Sequence, residues 1–506
     1  MAGRHAVVVL LVLISIACSD VGPAPPPEPS ADRLWIYATG LLLAPGETVR
    51  MGATAADSTV TTYVQWPDNL GNPWPDSLDI RWWISDPARA TVDTSGRVSA
   101  RQPGRATIWV AVGATVDSGT LIVEPASGGS GFLAQSLGAG LLHTCGLDAA
   151  GLAYCWGSDF SGALGRGRIR QFNSAATPVA VTGARAFAAL TVGADFACGL
   201  TAVGSAYCWG GNQYGQLGDG TDGSAFSEVG AFGRATPVPA LGGHTFTRVR
   251  AGGFHVCALD TTGQAFCWGW NGFGQLATGP YEGGSAHRSE PTPAAGDLRF
   301  RSLGLGSLHS CAIGTDSLTY CWGLNDRGQL GIDTADSPGP CGGGWWCSPT
   351  PIALDSTFRF VAVTAGRTHT CGLAANGTAH CWGNGSPEPA PVAGFAFTTL
   401  AAGVNHTCGL TADGTAYCWG ENDRGQLGDG TVRGGDQPTP VAVDSPTTFA
   451  SLAPGGAHTC GISMDRRTYC WGWNRRGQVG NGAIEAPDAA TNAVVPTPVP
   501  VRGPAS

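Results

Sequence analysis

Sulfur and imidazole are the reactive groups that this chain repeats most regularly. Fourteen of its 17 cysteines fall into pairs ten residues apart: Cys145 with Cys155, Cys198 with Cys208, Cys257 with Cys267, Cys311 with Cys321, Cys371 with Cys381, Cys408 with Cys418 and Cys460 with Cys470. Thiols in such numbers either oxidise to disulfides or ligate zinc. A zinc knuckle takes two cysteines separated by about two to four residues, whereas these separations suit the two arms of a hairpin. In the sixth pair Asp413-Gly414 signals a tight turn, because Gly takes the positive φ such a turn needs. Pairing about that turn sets Leu410 opposite Ala416 and Cys408 opposite Cys418, and facing residues lie ~4.5–5.5 Å apart at Cα, within disulfide reach. Disulfides are expected, with zinc the rival, and each bridge would stabilise its hairpin by ~2–3 kcal/mol. Cys341 and Cys347 bracket Gly-Gly-Gly-Trp-Trp and are expected to close an eighth bridge that displays Trp345 and Trp346 on a loop.

Six histidines recur two residues before the first cysteine of a pair: His143, His255, His309, His369, His406 and His458, with Phe196 in the seventh place. Metal ligation and acid–base catalysis are the functional readings. A residue that recurs at one position of every repeat more often holds that repeat to its neighbour, by a hydrogen bond or by packing. Gly218–Gly223 fits the spacing of a phosphate-binding glycine loop but precedes no helix, and the chain has no H-E-x-x-H, nucleophile elbow or Walker loop. The expectation is therefore a non-enzyme, with no catalytic residue, metal or cofactor.

These residues sit in a unit of the form H-T-C-G-L-x-x-x-G-x-x-Y-C-W-G, which occurs seven times at spacings of 37 to 60 residues. Each unit reads as a hairpin. After it come Asn-x-x-Gly-Gln-Leu-Gly (Asn212–Gly218, Asn325–Gly331, Asn422–Gly428), a Thr-Pro-Val segment, and an apolar Phe-x-x-Leu segment such as Phe397–Leu400. Four short strands per unit make one blade of a propeller. In the fifth unit Cys381-Trp382-Gly383 runs straight into Asn384-Gly385-Ser386-Pro387, so its loop is truncated. The array ends on a surplus Thr497-Pro498-Val499, which is expected to complete the first blade and close the ring. The pattern resembles the regulator of chromosome condensation repeat family over residues 132–501, and the resemblance implies a seven-bladed propeller.

Residues 33–125 differ. Short alternating strands between turn residues, about seven of them, are the pattern of a sandwich. The run Trp83…Ala90-Thr-Val-Asp…Gly96-x-Val…Gly104-x-Ala-Thr-Ile resembles the bacterial group 2 Ig-like domain. The expected fold class is all-β: a seven-bladed β-propeller (132–506) with an N-terminal Ig-like β-sandwich (33–125), joined by the linker 126–131.

At the N-terminus Arg4 precedes an apolar run from Ala6 to Ala17, too short to span a bilayer and of signal-peptide size. It ends in Ser15-Ile16-Ala17-Cys18, which resembles the lipobox of bacterial lipoproteins. That resemblance implies a signal peptide over 1–18, lipidation of Cys18 and an outer-membrane or cell-surface site; plain secretory cleavage is the alternative. Residues 19–32 are Pro-rich, a stiff stalk. Removing Cys18 leaves an even number of cysteines, and export favours oxidation.

The net charge is −9, and no basic stripe exists, which argues against a nucleic-acid partner. By family resemblance, the two residues before each histidine lie on one face near the ring axis. They include Leu141, Leu142, Asp195, Phe254, Leu308, Arg367 and Asn405, and they vary from unit to unit. Tyr214, Trp270, Phe273, Trp345, Trp346 and Trp473 add aromatics, favoured as interface anchors. The leading reading is a monomeric, membrane-tethered, extracytoplasmic protein that binds a protein or glycan ligand. A secreted-enzyme inhibitor resembling the β-lactamase-inhibiting propellers, and an enzyme using the channel, are the other classes.

Overall fold

Glycine and aromatic placement dictates the repeat's geometry. The Gly of every Trp-Gly lies at positive φ, from 93° at Gly383 to 102° at Gly420, where an L side chain would be strained. It stands at a β-bulge, where the ladder to the outer strand shifts register between Cys155 and Gly157 and at the equivalent step of each blade. The bulge leaves the Trp indole inside the blade, stacked near the first-strand Phe. Seven such pairs, Phe132–Trp156 to Phe449–Trp471, have centroids 5.5–6.0 Å apart.

A computed structural model describes residues 132–503 except 134–135, 170–172, 184, 224–231, 280–282, 284–285, 338, 342–343, 446 and 485–492. Before residue 132 it describes the strands between 33 and 123 and the turn 85–88. The signal segment, Cys18, the stalk and the linker 126–131 lie outside the described residues. The chain divides into two compact units, 1–128 and 129–504 (the last two residues fall with the first).

Among the described residues of the first unit ten strands form three sheets, more than the seven expected. The additional strands, Leu41–Leu43, Ala53–Ala56 and Val64–Trp66, are three or four residues long, too short to show a period of two. The largest sheet pairs Gly104–Val112 with Thr115–Val123 and Ile80–Ile84, and adds Leu41–Leu43 in parallel.

The second unit is a seven-bladed β-propeller. Each blade has four antiparallel strands taken in chain order, the Phe-x-x-Leu strand innermost, then the two arms of the Cys hairpin and the Thr-Pro-Val strand, and the fourth blade adds a fifth strand at its outer edge. In the last blade these are Phe449–Pro454, His458–Ser463, Thr468–Trp473 and Val494–Pro500. The C-terminal strand therefore completes its own seventh blade, and the first blade carries its own outer strand, Ser174–Ala180. This corrects the expected strand exchange. A blade begins at Phe, not at His, so no strand is left over. The ring closes by the same side-chain contacts as every other seam, with Phe132 and Trp156 of the first blade in one cluster with Ile462, Val479 and Val501 of the last.

In every blade but the fifth, the loop after the Trp-Gly plugs the seam to the next blade. Asn212 Oδ1 accepts the Leu217 amide at 3.0 Å, and Gln216 Oε1 accepts that of Tyr214 at 2.8 Å, fixing the turn. The Leu is then buried against the Trp of the following blade, as Leu217 is with Trp268 and Leu330 with Trp382.

Candidate functional site

Each of the seven cysteine pairs stands directly opposite its partner in the ladder, with Cα atoms 4.0–4.1 Å apart and a disulfide formed. Cys341 and Cys347 also pair, at 5.9 Å. The segment between them is not the expected loop: Gly339–Cys341 and Trp345–Ala353 form a ladder that extends the fourth blade's outer edge. Successive residues of a strand face opposite ways, so Trp345 and Trp346 diverge.

The histidines bind blade to blade. His255, His309, His369, His406 and His458 each place Nε2 2.8 Å from the hydroxyl of Ser310, Thr370, Thr407, Thr459 and Thr144 in the next blade. At four of these seams the hydroxyl in turn donates to the backbone carbonyl of the plug glutamine, as Thr370 does to Gln329 at 2.9 Å. Its lone pair is then left to accept, so the imidazole donates from Nε2–H. Burial drives these side chains well below the usual histidine range, to about 3 for His255, His309, His406 and His458 and about 4 for His369. Neutral, and committed to a hydroxyl, they are seam fasteners.

Two adjacent seams depart. Between blades 2 and 3 both partners are apolar, Phe196 and Val256. Between blades 1 and 2 His143 faces a blade whose Thr position is Ala197, and among the described residues neither its Nε2 nor Trp209 Nε1 at the same seam has a partner. Restoring the acceptor with Ala197→Thr should raise stability by about 1 kcal/mol, read as a higher denaturant midpoint. Thr370→Val, which strips His309 of its acceptor, should lower it by about 1–3 kcal/mol.

The turns before the histidines converge on the ring axis. Leu141, Ala194, Gly253, Phe254, Ser307 and Val404 rim a narrow channel of about 140 Å³, walled otherwise by glycines and small apolar residues. Asp195 stays off the axis, largely buried. One carboxylate oxygen has no partner, and burial raises its pKa to about 6. Leu142 is half-buried and does not rim the channel.

Beside the axis lies a cleft of about 610 Å³ that brings together Phe273, Leu308, Trp345, Arg367 and Asn405, five of the residues singled out from sequence. Trp346 is not part of it. Phe273 joins the cleft to an aromatic cluster: Tyr214 stacks on Trp270 at 5.3 Å, Phe254 meets both edge-on, and Trp270 meets Phe273 at 5.4 Å. Toward blades 4 to 6 the lining turns polar, with Asp326, Arg327, Arg367, Asn384 and Asp436. One side thus offers rings and the other both signs of charge, the composition of a recognition surface. Leu324, Asp326, Arg327 and Asp436 were missed from sequence. The first three follow a Trp-Gly or stand within a plug loop, positions whose variation between repeats was the available signal.

Residues 203–259, 262–313, 316–373 and 413–462 match the regulator of chromosome condensation (RCC1) repeat, and 187–216, 246–275 and 397–426 match a second description of it. Residues 72–123 match the bacterial Ig-like domain (group 2). The chain is 29% identical over 314 residues to the ultraviolet-B receptor UVR8 of Arabidopsis thaliana, covering 58% of this chain and 66% of that one. It is 27% identical over 369 residues to the mitochondrial RCC1 domain-containing protein RUG3 of the same plant, covering 68% and 70%. It thus spans about two thirds of each relative's length. Among solved structures, Prp20p of Saccharomyces cerevisiae, described with its binding to Gsp1p and histones, superposes with a TM-score of 0.53 at 22% identity (63% and 80% covered). Human WBSCR16 gives 0.57 at 18% identity (76% and 99%). The two structures share the fold.

Proposed function

Because this chain belongs to the RCC1-repeat propellers, we propose that it is a non-enzymatic recognition protein outside the cytoplasm, tethered to the outer membrane or cell surface by a lipid on Cys18, whose propeller face receives a protein or glycan ligand. The cleft that gathers Phe273, Leu308, Trp345 and Arg367 beside four packed aromatics carries this reading. Aromatic and Arg side chains at the centre of a concave face supply most binding energy where they become desolvated. Eight disulfides support an oxidising compartment, and the binding of Prp20p to Gsp1p and histones is precedent for a protein ligand on this scaffold.

The test is capture of a partner from the envelope fraction of the producing cells by the mature chain and three variants. Trp345→Ala and Arg367→Glu should each weaken the recovered complex at least tenfold, a loss of about 1.4 kcal/mol or more. Trp346→Ala, outside the cleft, should leave it unchanged. Equal capture by all four proteins would remove the cleft from the reading.

A further inference from the structure

We infer that the seam between blades 5 and 6 is a second, built binding site, which takes a leucine-bearing turn of a partner polypeptide. The inference deepens the reading of this face as a recognition surface, because this seam and the cleft share Asn384, Asn405 and Asp436.

The other six seams show what belongs there. Each holds a plug loop whose Leu or Val is fully buried: Leu164, Leu217, Leu276, Leu330, Leu427 and Val479. At five of them a plug carbonyl accepts the next blade's Trp Nε1–H at 2.8–3.0 Å. Blade 5 has no plug. Its third and fourth strands are joined by Asn384-Gly385 alone, both at positive φ (54° and 97°), a two-residue hairpin turn that leaves no chain to reach the next blade.

A cavity of about 470 Å³ stands in the plug's place, walled by Trp419, Thr407, His406 and Cys381 among others. Trp419 is 7% exposed, against 0–2% for its six counterparts. Its indole N–H has no acceptor among the described residues. The Thr407 hydroxyl accepts from His369 at 2.8 Å but has no plug carbonyl to donate to. Two donors and an apolar wall are therefore arranged to receive a main-chain carbonyl followed by a branched aliphatic side chain. The chain supplies a plug carbonyl and a branched aliphatic side chain itself at five of the other six seams, so the occupant of this one is a turn of the same chemistry presented by another polypeptide.

The probe is a cyclic peptide presenting Arg-Gly-Gln-Leu-Gly, the sequence of residues 424–428, added to the full chain. The readout is the Trp419 indole N–H resonance, assigned by its loss in Trp419→Phe. The peptide should shift that resonance, and its Leu→Ala form should bind at least tenfold more weakly. A chain with the loop of residues 422–428 copied between Gly383 and Ser386 should bind no peptide. No shift at millimolar peptide, equal binding of the Leu and Ala peptides, or undiminished binding to the grafted chain would each overturn the inference. Should the graft fail to fold, Trp419→Phe, which keeps most of the ring and removes the donor, decides: it should weaken peptide binding, followed by chemical shifts at other seam residues, about tenfold, and unchanged affinity overturns the inference. Trp345→Ala should leave peptide binding intact, so failure of the face cleft and failure of this seam are separately visible.

Discussion

Titrated from pH 7 toward pH 4, the propeller should come apart at its seams while its hairpins stay paired. An imidazole whose folded pKa lies below its unfolded value near 6.5 stays neutral in the native state, while the unfolded chain takes up a proton. Its contribution is whole above about pH 6.5 and is lost as pH falls toward the folded pKa, about 3 to 4 for His143, His255, His309, His369, His406 and His458. Each such group costs roughly 1.4 kcal/mol per pH unit over that window. Six acting together remove on the order of 10 kcal/mol by pH 5, comparable with the whole stability of a typical domain. Asp195, whose pKa burial raises to about 6, and Asp159, which burial also raises, work in the opposite sense, but they are two groups against six. Near-ultraviolet circular dichroism, which reports the packed tryptophans, should collapse in this window. Replacing His369 and His406 with Gln, which keeps a donor and does not titrate, should move the midpoint to lower pH. A midpoint that stays put would show that the histidines do not govern it.

The second large effect is resistance to reduction followed by abrupt loss. Thirteen of the fourteen hairpin cysteines are completely buried, so a thiolate reductant cannot reach them while the seams hold. Cys381 is the partly exposed one, because blade 5 has no plug over it. Under native conditions at pH 8, dithiothreitol should open Cys371–Cys381 first, with the other six hairpin bridges protected until denaturant is added. Mass spectrometry of alkylated peptides gives the order. Once all are open, each hairpin loses about 2.7 kcal/mol of loop-closure stabilisation, and the reduced chain should not refold at 37 °C. Simultaneous reduction of all seven in the native state would contradict the burial on which this rests.

The two effects divide the labour of the fold. Disulfides lock each blade internally, across strands adjacent in sequence. Imidazoles, hydroxyls, plug carbonyls and indoles lock blade to blade, across 33 to 334 residues of chain. Acid therefore attacks the second set and reductant the first. The seam between blades 1 and 2, where His143 Nε2 and Trp209 Nε1 lack partners among the described residues, and the plugless seam between 5 and 6 should be the first to open in hydrogen exchange.

The repeat, the hairpins and their sulfur pairing were legible in the sequence because each is a local matter. Asp413-Gly414 sets a register, and register sets which cysteine faces which. The structural role of the histidines was legible for a related reason, that a residue repeated in every blade must do something every blade needs. The phase of the blade was not. A cyclic pattern of hairpin, loop and strand reads the same wherever it is cut, and only the ladder from Thr468–Trp473 to Val494–Pro500 shows that the last strand stays at home. Nor could sequence show that Trp345 enters the face cleft while its neighbour Trp346 does not, since the segment reads as a loop until Gly339–Cys341 pairs with it. The gap of blade 5 was visible as missing letters. That it leaves an indole donor and a hydroxyl facing an open cavity is a fact of the closed ring, because the groups that meet there come from different blades and only packing brings them together.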